Sequence, residues 1–332
     1  MYNCFTAAKA ARAGISDRQL RTARTCCLSR PARGVYFVEL RCARHPAFAM
    51  FLDDAEHLEL GDALRASPGD TTLRARHLGG RHLGYLLNCG ALRPDDVIAL
   101  RSAALVHDLP LLSVPECTAE VLHPTESRTT PGIVRRRRPL SREQVTQWGG
   151  LEVTSPGRTV LDLGHDSVTG GVIAADALLR RSGAAEEGRR RLREYAEADA
   201  LLAASRRVRT VLDWSNGLAE SPGESLLVVH LRILGLTDFE QQVELRSASP
   251  PMTVRVDVLL REHGIVLEMD GLVKYRAESA GGFARDGEVL VREKLRQQAI
   301  ENAGCKVIRL LWRDVVDAQR LRLALAAQGL HI

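Results

Sequence analysis

The alternation of apolar and polar positions divides the chain into three stretches. At the start, "FTAAKAARAG" predicts a short helix stopped at Gly14. "SDRQLRTART" predicts a second helix, with Ser16 as N-cap and Gln19 three residues later as a capping box. "LSRPARGVYFVEL" then turns through Pro31 and Gly34 into a β-branched and aromatic strand. From about residue 45 to 205 the periodicity is mixed. "DDVIALRSAALVHDLPLL" reads as helical, and "GLEVTSPGRTVLDLG" as a strand leading into a helix with Ser155 and Pro156 at N-cap and N1. The charged stretch 180–213 reads as a helical connector. From about residue 210 the order is helix, three strands, helix, strand, helix. Ser221, Pro222 and Gly235 bound the first helix, and Gly304 ends the second.

The densest signal is "RVDVLLREHGIVLEMDG" (255–271). If Leu260 faces Ile265 across a hairpin turn, Asp257 lies opposite Glu268, and Arg255 opposite Asp270. One face then collects Val256, Val258, Leu260, Ile265, Leu267 and Met269 and must be core. The other collects Arg255, Asp257, Glu268 and Asp270. Opposed carboxylates with Cβ atoms ~5 Å apart repel, so something positive belongs between them. A hard divalent cation such as Mg²⁺ fits; neutralisation by Arg255 and Lys274 is the plainer alternative.

Composition narrows this picture little. With 332 residues the chain is long for one core, and its net charge of +5 permits a nucleic-acid partner without requiring one. The charge is better judged by its placement. Arg18, Arg21 and Arg24 recur along the second helix, and Arg30 and Arg33 flank the hairpin tip. A basic helix beside a basic hairpin suits major-groove entry with phosphate clamping on double-stranded DNA. The run "RRRR" at 135–138 suits a solvated strand edge, or a phosphate-contacting patch. The seven cysteines include no C-x-x-C pair. Adjacent Cys26 and Cys27 suit neither a mutual bridge nor a zinc knuckle, and the set reads as reduced thiols of a cytoplasmic protein. No apolar stretch is long enough to span a membrane.

The carboxylate hairpin, with "VLEMDGLVKY" and "REKLRQQAIENAGCKVIRLLW", resembles the PD-(D/E)XK nuclease superfamily, in particular its very-short-patch-repair-like branch. The resemblance covers about 110 residues. It implies a restriction-endonuclease-like αβββαβα domain in which Asp257 and Glu268 hold Mg²⁺ or Mn²⁺, joined by Glu224 and Asp270. It implies hydrolysis of phosphodiester bonds in DNA, with a lysine orienting water. That lysine normally stands two residues after the second acid, where this chain has Asp270. Lys274 is then either the displaced lysine or a surface residue. Glu224 is equally a capping-box partner of Ser221. Arg292, Lys294 and Arg296 either meet phosphates or pair with acids of their own helix.

The front of the chain, "FTAAKAARAGISDRQLRTA" with "LSRPARGVYFVEL", resembles the winged helix-turn-helix domain of AbiEi-type antitoxins of type IV toxin–antitoxin and abortive-infection systems. "VTSPGRTVLDLG" is similar to a motif in the body of such proteins. The resemblance implies promoter binding and a nucleotidyltransferase-like toxin as partner. The expected architecture is therefore α/β and multi-domain: a winged helix-turn-helix at 1–45, a mixed α/β middle region with its connector at 46–205, and a nuclease-like domain at 206–332. Two functions follow as expectations. One is a Mg²⁺-dependent endonuclease delivered to DNA by the winged helix; the other is a non-catalytic regulator, or antitoxin, of a defence module.

Overall fold

A computed structural model describes residues 2–270 and 283–331, with backbone alone for 283–290. The chain mixes helix and sheet throughout. It divides into two compact units, Met1–Asp166 with Tyr195–Leu202, and Ser167–Glu194 with Ala203–Ile332.

The first unit opens with β1 (Cys4–Thr6), helices Ala7–Arg12 and Asp17–Ala23, then β2 (Leu28–Ala32) and β3 (Val35–Val38). These strands form a three-stranded antiparallel sheet in the order β1-β3-β2. Thr6 caps the first helix by accepting from the Lys9 amide. Ser16 and Gln19 cap the second reciprocally, as the capping-box pattern predicts. β1 has no counterpart in the sequence reading, because three residues are too few to display alternation.

One side of this small sheet joins Phe5, Ile15, Leu20 and Val38 in a local core. The other side carries Cys4, Val35 and Phe37 against Tyr85 and Leu86 of helix Thr71–Asn88, in one core with Ile98, Val121 and Val153 of the next sheet. The boundary expected at residue 45 is therefore not a break in packing: both faces of the small sheet are apolar, and the second needs the following helix. Gly84 makes that approach possible, since a Cβ there would lie 2.9 Å from Phe37 Cε1 and 3.0 Å from Cys4 Cβ.

The larger sheet runs β6-β7-β5-β4-β9-β8, from β4 (Val97–Ile98), β5 (Ala119–His123), β6 (Arg128–Thr130), β7 (Ile133–Arg137), β8 (Val145–Trp148) and β9 (Leu151–Thr154). Three arginines of the basic run at 135–138 are paired within the unit, and Arg137 is exposed. Arg135 is buried on Asp96 at 2.8 Å, and Arg138 is buried on Asp162 at 2.6 Å. Arg136 reaches Asp166 at 2.5 Å. β7 lies inside the sheet, and acids from distant segments close over its Arg135 and Arg136.

The second unit contains helices Val168–Ser182, Arg206–Trp214 and Pro222–Ile233, then β10 (Glu240–Ala248), β11 (Pro251–Leu260) and β12 (Ile265–Met269). Helix Phe283–Asn302, β13 (Lys306–Leu310) and helices Trp312–Val315 and Ala318–Ala327 follow. The sheet order is β10-β11-β12-β13, with β13 parallel to β12 and the other pairs antiparallel. Ile173 shares a core with Leu226, Leu231 and Leu267. Helix Val168–Ser182 thus packs here rather than with the middle region.

The hairpin register is the expected one, with Leu260 opposite Ile265 and Val258 opposite Leu267. The expected faces are not. Val258, Leu260, Ile265 and Leu267 pack with Leu226 and Leu231 of helix Pro222–Ile233. Val256 instead joins Val243, Val254, Leu259, Val266, Ala299 and Ile300. Alternation breaks at Asp257, between the Gln241–Val258 and Val243–Val256 pairs, where Gln242 takes φ 54°. The face expected to be open and polar is in fact covered by Ala299 and Ile300 of helix Phe283–Asn302.

Candidate functional site

Two groups of charged residues are candidates, one in each unit. In the first unit, helix Asp17–Ala23 buries only Leu20 and Ala23. That narrow contact leaves Arg18 and Arg21 exposed, with Arg24 at the C-cap. Gly34, at φ 78°, closes the β2–β3 turn and leaves Arg30 and Arg33 exposed beside it. The Arg30 guanidinium lies 5.8 Å from the Tyr36 ring centroid. None of these five arginines has an acidic partner among the described residues. Elsewhere in this unit arginines are mostly paired, as at Arg81–Glu39 (2.9 Å) and Arg101–Glu120. The second helix and the hairpin thus carry five exposed arginines side by side in the chain's first 33 residues.

In the second unit the expected acids are close but engaged. Asp257 Oδ2 accepts a hydrogen bond from the Met269 amide at 2.8 Å. Glu268 is buried, and its Oε1 accepts from Arg296. The same guanidinium donates to the Arg255 carbonyl at 2.7 Å. Burial pushes the Glu268 carboxyl above its ordinary range; Arg296 opposes this, and Asp257 and Glu293 add to it. Glu224 is buried with both oxygens occupied. It accepts from Ser221 Oγ at 2.8 Å, from the Glu220 amide at 2.7 Å and from Gln242 Nε2 at 2.9 Å. Of the two sequence readings for Glu224, the cap is the one with bonds behind it. Arg255 pairs with Glu220. The Asp270 amide donates to the Leu310 carbonyl at 2.9 Å. Lys274 lies outside the described residues.

In the described structure Asp257, Glu268 and Glu224 are already engaged rather than open to a Mg²⁺ or Mn²⁺ ion. A hard cation needs carboxylate oxygens that converge and are free to bind it. Among the described residues, no group of three or more ligands includes Asp257, Glu268, Glu224 or Asp270. Arg296 already supplies the positive charge that the opposed acids require. Arg296 is accordingly not free for a phosphate, whereas Arg292 and Lys294 are exposed. No local pattern announces this pairing, because Arg296 stands 28 residues beyond Glu268.

Two ligand groups do converge, both in the first unit: Cys26, Cys27, Cys42 and His45, and separately Glu39, His57 and His77. In the second group Arg81 and His77 hold the Glu39 carboxyl down at about 2 in spite of its burial. A resident arginine closes that site too.

Comparison with known proteins finds no matching family model, no matching curated protein and no matching solved structure. No helix among the described residues is long and apolar enough to cross a membrane.

Proposed function

We propose that the chain is a sequence-reading regulator of double-stranded DNA. Its first unit supplies a winged helix-turn-helix, and its second a nuclease-like sheet whose acids serve structure. Exposed Arg18, Arg21, Arg24, Arg30 and Arg33, free of acidic partners among the described residues, carry this reading. Cations held in water on a helix and its neighbouring hairpin release condensed counterions when they meet phosphates. Leu20 and Ala23 of the second helix share a core with Leu28, Tyr36 and Val38 of the hairpin, which supports reading the hairpin as a wing. The AbiEi-type resemblance adds a nucleotidyltransferase-like toxin of a defence module as the expected partner. Fluorescence anisotropy on labelled duplex tests the reading. Binding at low salt that weakens steeply with salt supports it; no binding at low salt removes it.

A second reading, Mg²⁺-dependent DNA cleavage, draws on the nearness of Asp257 and Glu268, which is enough for Asp257 to raise the Glu268 carboxyl. Supercoiled plasmid incubated with the protein and Mg²⁺ or Mn²⁺ separates the two. Nicking abolished by D257A favours the enzyme; an intact plasmid favours the regulator.

A further inference from the structure

The chain turns sharply after helix Asp17–Ala23. The amides of Cys26 and Cys27 both donate to the Ala23 carbonyl, at 3.1 and 2.9 Å. Winding two successive residues around one carbonyl lets both side chains aim the same way, which an extended strand forbids. After β3 the chain turns again, with the His45 amide donating to the Cys42 carbonyl at 3.1 Å. The two turns bring three thiols and an imidazole together. Cys26 Sγ lies 3.8 Å from Cys42 Sγ and 3.1 Å from His45 Nδ1. Cys27 Sγ and Cys42 Sγ lie 3.7 and 3.6 Å from the same nitrogen. All four ligand atoms fall within 4.8 Å of one another.

Three of these separations, 3.8, 3.7 and 3.6 Å, match the edges of a tetrahedron around a metal, and the Cys26–His45 separation is shorter. Zn–S bonds of about 2.3 Å and Zn–N bonds of about 2.0–2.1 Å imply S–S edges of about 3.8 Å and S–N edges of about 3.6 Å. Weakly hydrogen-bonding thiols have little reason to crowd one imidazole nitrogen without a cation at the centre. We propose that Cys26, Cys27, Cys42 and His45 bind a structural zinc ion. Three soft thiolates and an imidazole select Zn²⁺ over the oxygen-seeking Mg²⁺. Four protein ligands leave no open position, so the site is structural rather than catalytic. Three thiolates against a divalent cation leave a net negative charge, and exposed Arg41 and Arg44 flank Cys42 to offset it.

The ion pins the end of the arginine-bearing helix, and the root of β2, to the segment that enters the 3₁₀ helix Pro46–Phe51. Phe48 and Phe51 of that segment stack on Phe5, at centroid distances of 6.0 and 4.1 Å. Zinc thereby fastens the edge of a small module to its local core.

Metal content of the full chain, purified under reducing conditions and dialysed, tests the proposal. Elemental analysis should find about one zinc per chain. Cobalt exchanged into the site should give the intense visible bands of tetrahedral Co²⁺ and a thiolate-to-metal charge-transfer band. C26S, C42S and H45A should each lose the metal, while H45C, which replaces imidazole by a fourth thiolate, should keep it. C305S, in the other unit, should be unaffected. If the variants fail to fold, thiol counting on the wild-type chain still decides: three thiols protected until a mercurial releases zinc support the site. A reduced wild-type chain without zinc or a cobalt spectrum overturns the proposal, as does a Cys26–Cys42 disulfide surviving the reductant. None of these readouts depends on DNA binding.

Discussion

Arg296 lays its guanidinium on the carboxylate of Glu268 and on the carbonyl of Arg255, so one side chain ties helix Phe283–Asn302 to both strands of the acidic hairpin. It balances the charge of Glu268 from the neighbouring helix. The pair is partly exposed, with side-chain accessibilities of 30% and 12%, so its contribution is smaller than that of a fully buried ion pair.

R296A should leave Glu268 buried and uncompensated and destabilise the second unit by about 1–3 kcal/mol. E268Q should be much milder, because the amide oxygen still accepts from Arg296 and the desolvated charge is gone. The sign follows from the raised Glu268 pKa. Its contribution is fully present below the ordinary glutamate range and is lost as pH rises through the folded value. Urea denaturation of wild type, R296A and E268Q across that range checks both, E268Q being the variant whose profile flattens. Equal losses in R296A and E268Q would contradict the account.

The first unit should respond to acid in the opposite sense. Burial holds the His82 imidazole down at about 3 and the His57 imidazole down at about 4. His82 Nε2 lies 2.8 Å from Ser102 Oγ, inside the unit. Groups with depressed folded values contribute stability that is present above the ordinary histidine value and is lost as pH falls toward the folded one. Thermal unfolding followed between pH 7 and about 4 should show a falling midpoint. H82Q, which removes the titrating group, should lessen the slope; an unchanged slope would argue that other groups dominate.

Arg158 is fully buried and bonds Asp162 at 3.0 Å, Gln144 at 3.0 Å and Asp199 at 2.8 Å. R158A should leave Asp162 Oδ2 and Gln144 without their buried partner, while Arg138 still holds Asp162 Oδ1, and cost about 1–3 kcal/mol. R158K should recover only part of this, since an ammonium cannot reproduce the planar fork. Chemical denaturation of the two variants measures the difference. Wild-type stability in R158A would show that the network carries little of the fold.

How far the sequence discloses these arrangements depends on distance along the chain. The Ser16–Gln19 box, the Gly264 turn at φ 59° and the Leu260–Ile265 register are local, and their residue types announce them. The αβββαβα order follows from capped helices and β-rich runs. What stayed hidden was made elsewhere. Arg296 reaches Glu268 from the next helix, and Asp96 closes over Arg135 from 39 residues earlier. The face switch at Asp257 hinges on Gln242 in the left-handed region, a residue type that gives no such signal. Adjacent Cys26 and Cys27 suggest no zinc knuckle, yet the turn on Ala23 lets both approach Cys42 and His45. A C-x-x-H pair at Cys42 and His45 was the available clue.

The most direct measurement is the salt dependence of duplex binding by wild type and by the R18A/R21A double variant. If all five arginines meet phosphates, log K should fall with log salt at a slope of about −4.5, and the double variant should lose about 2 from its magnitude. Wild type and variant binding alike, or neither binding duplex at low salt, would contradict the account.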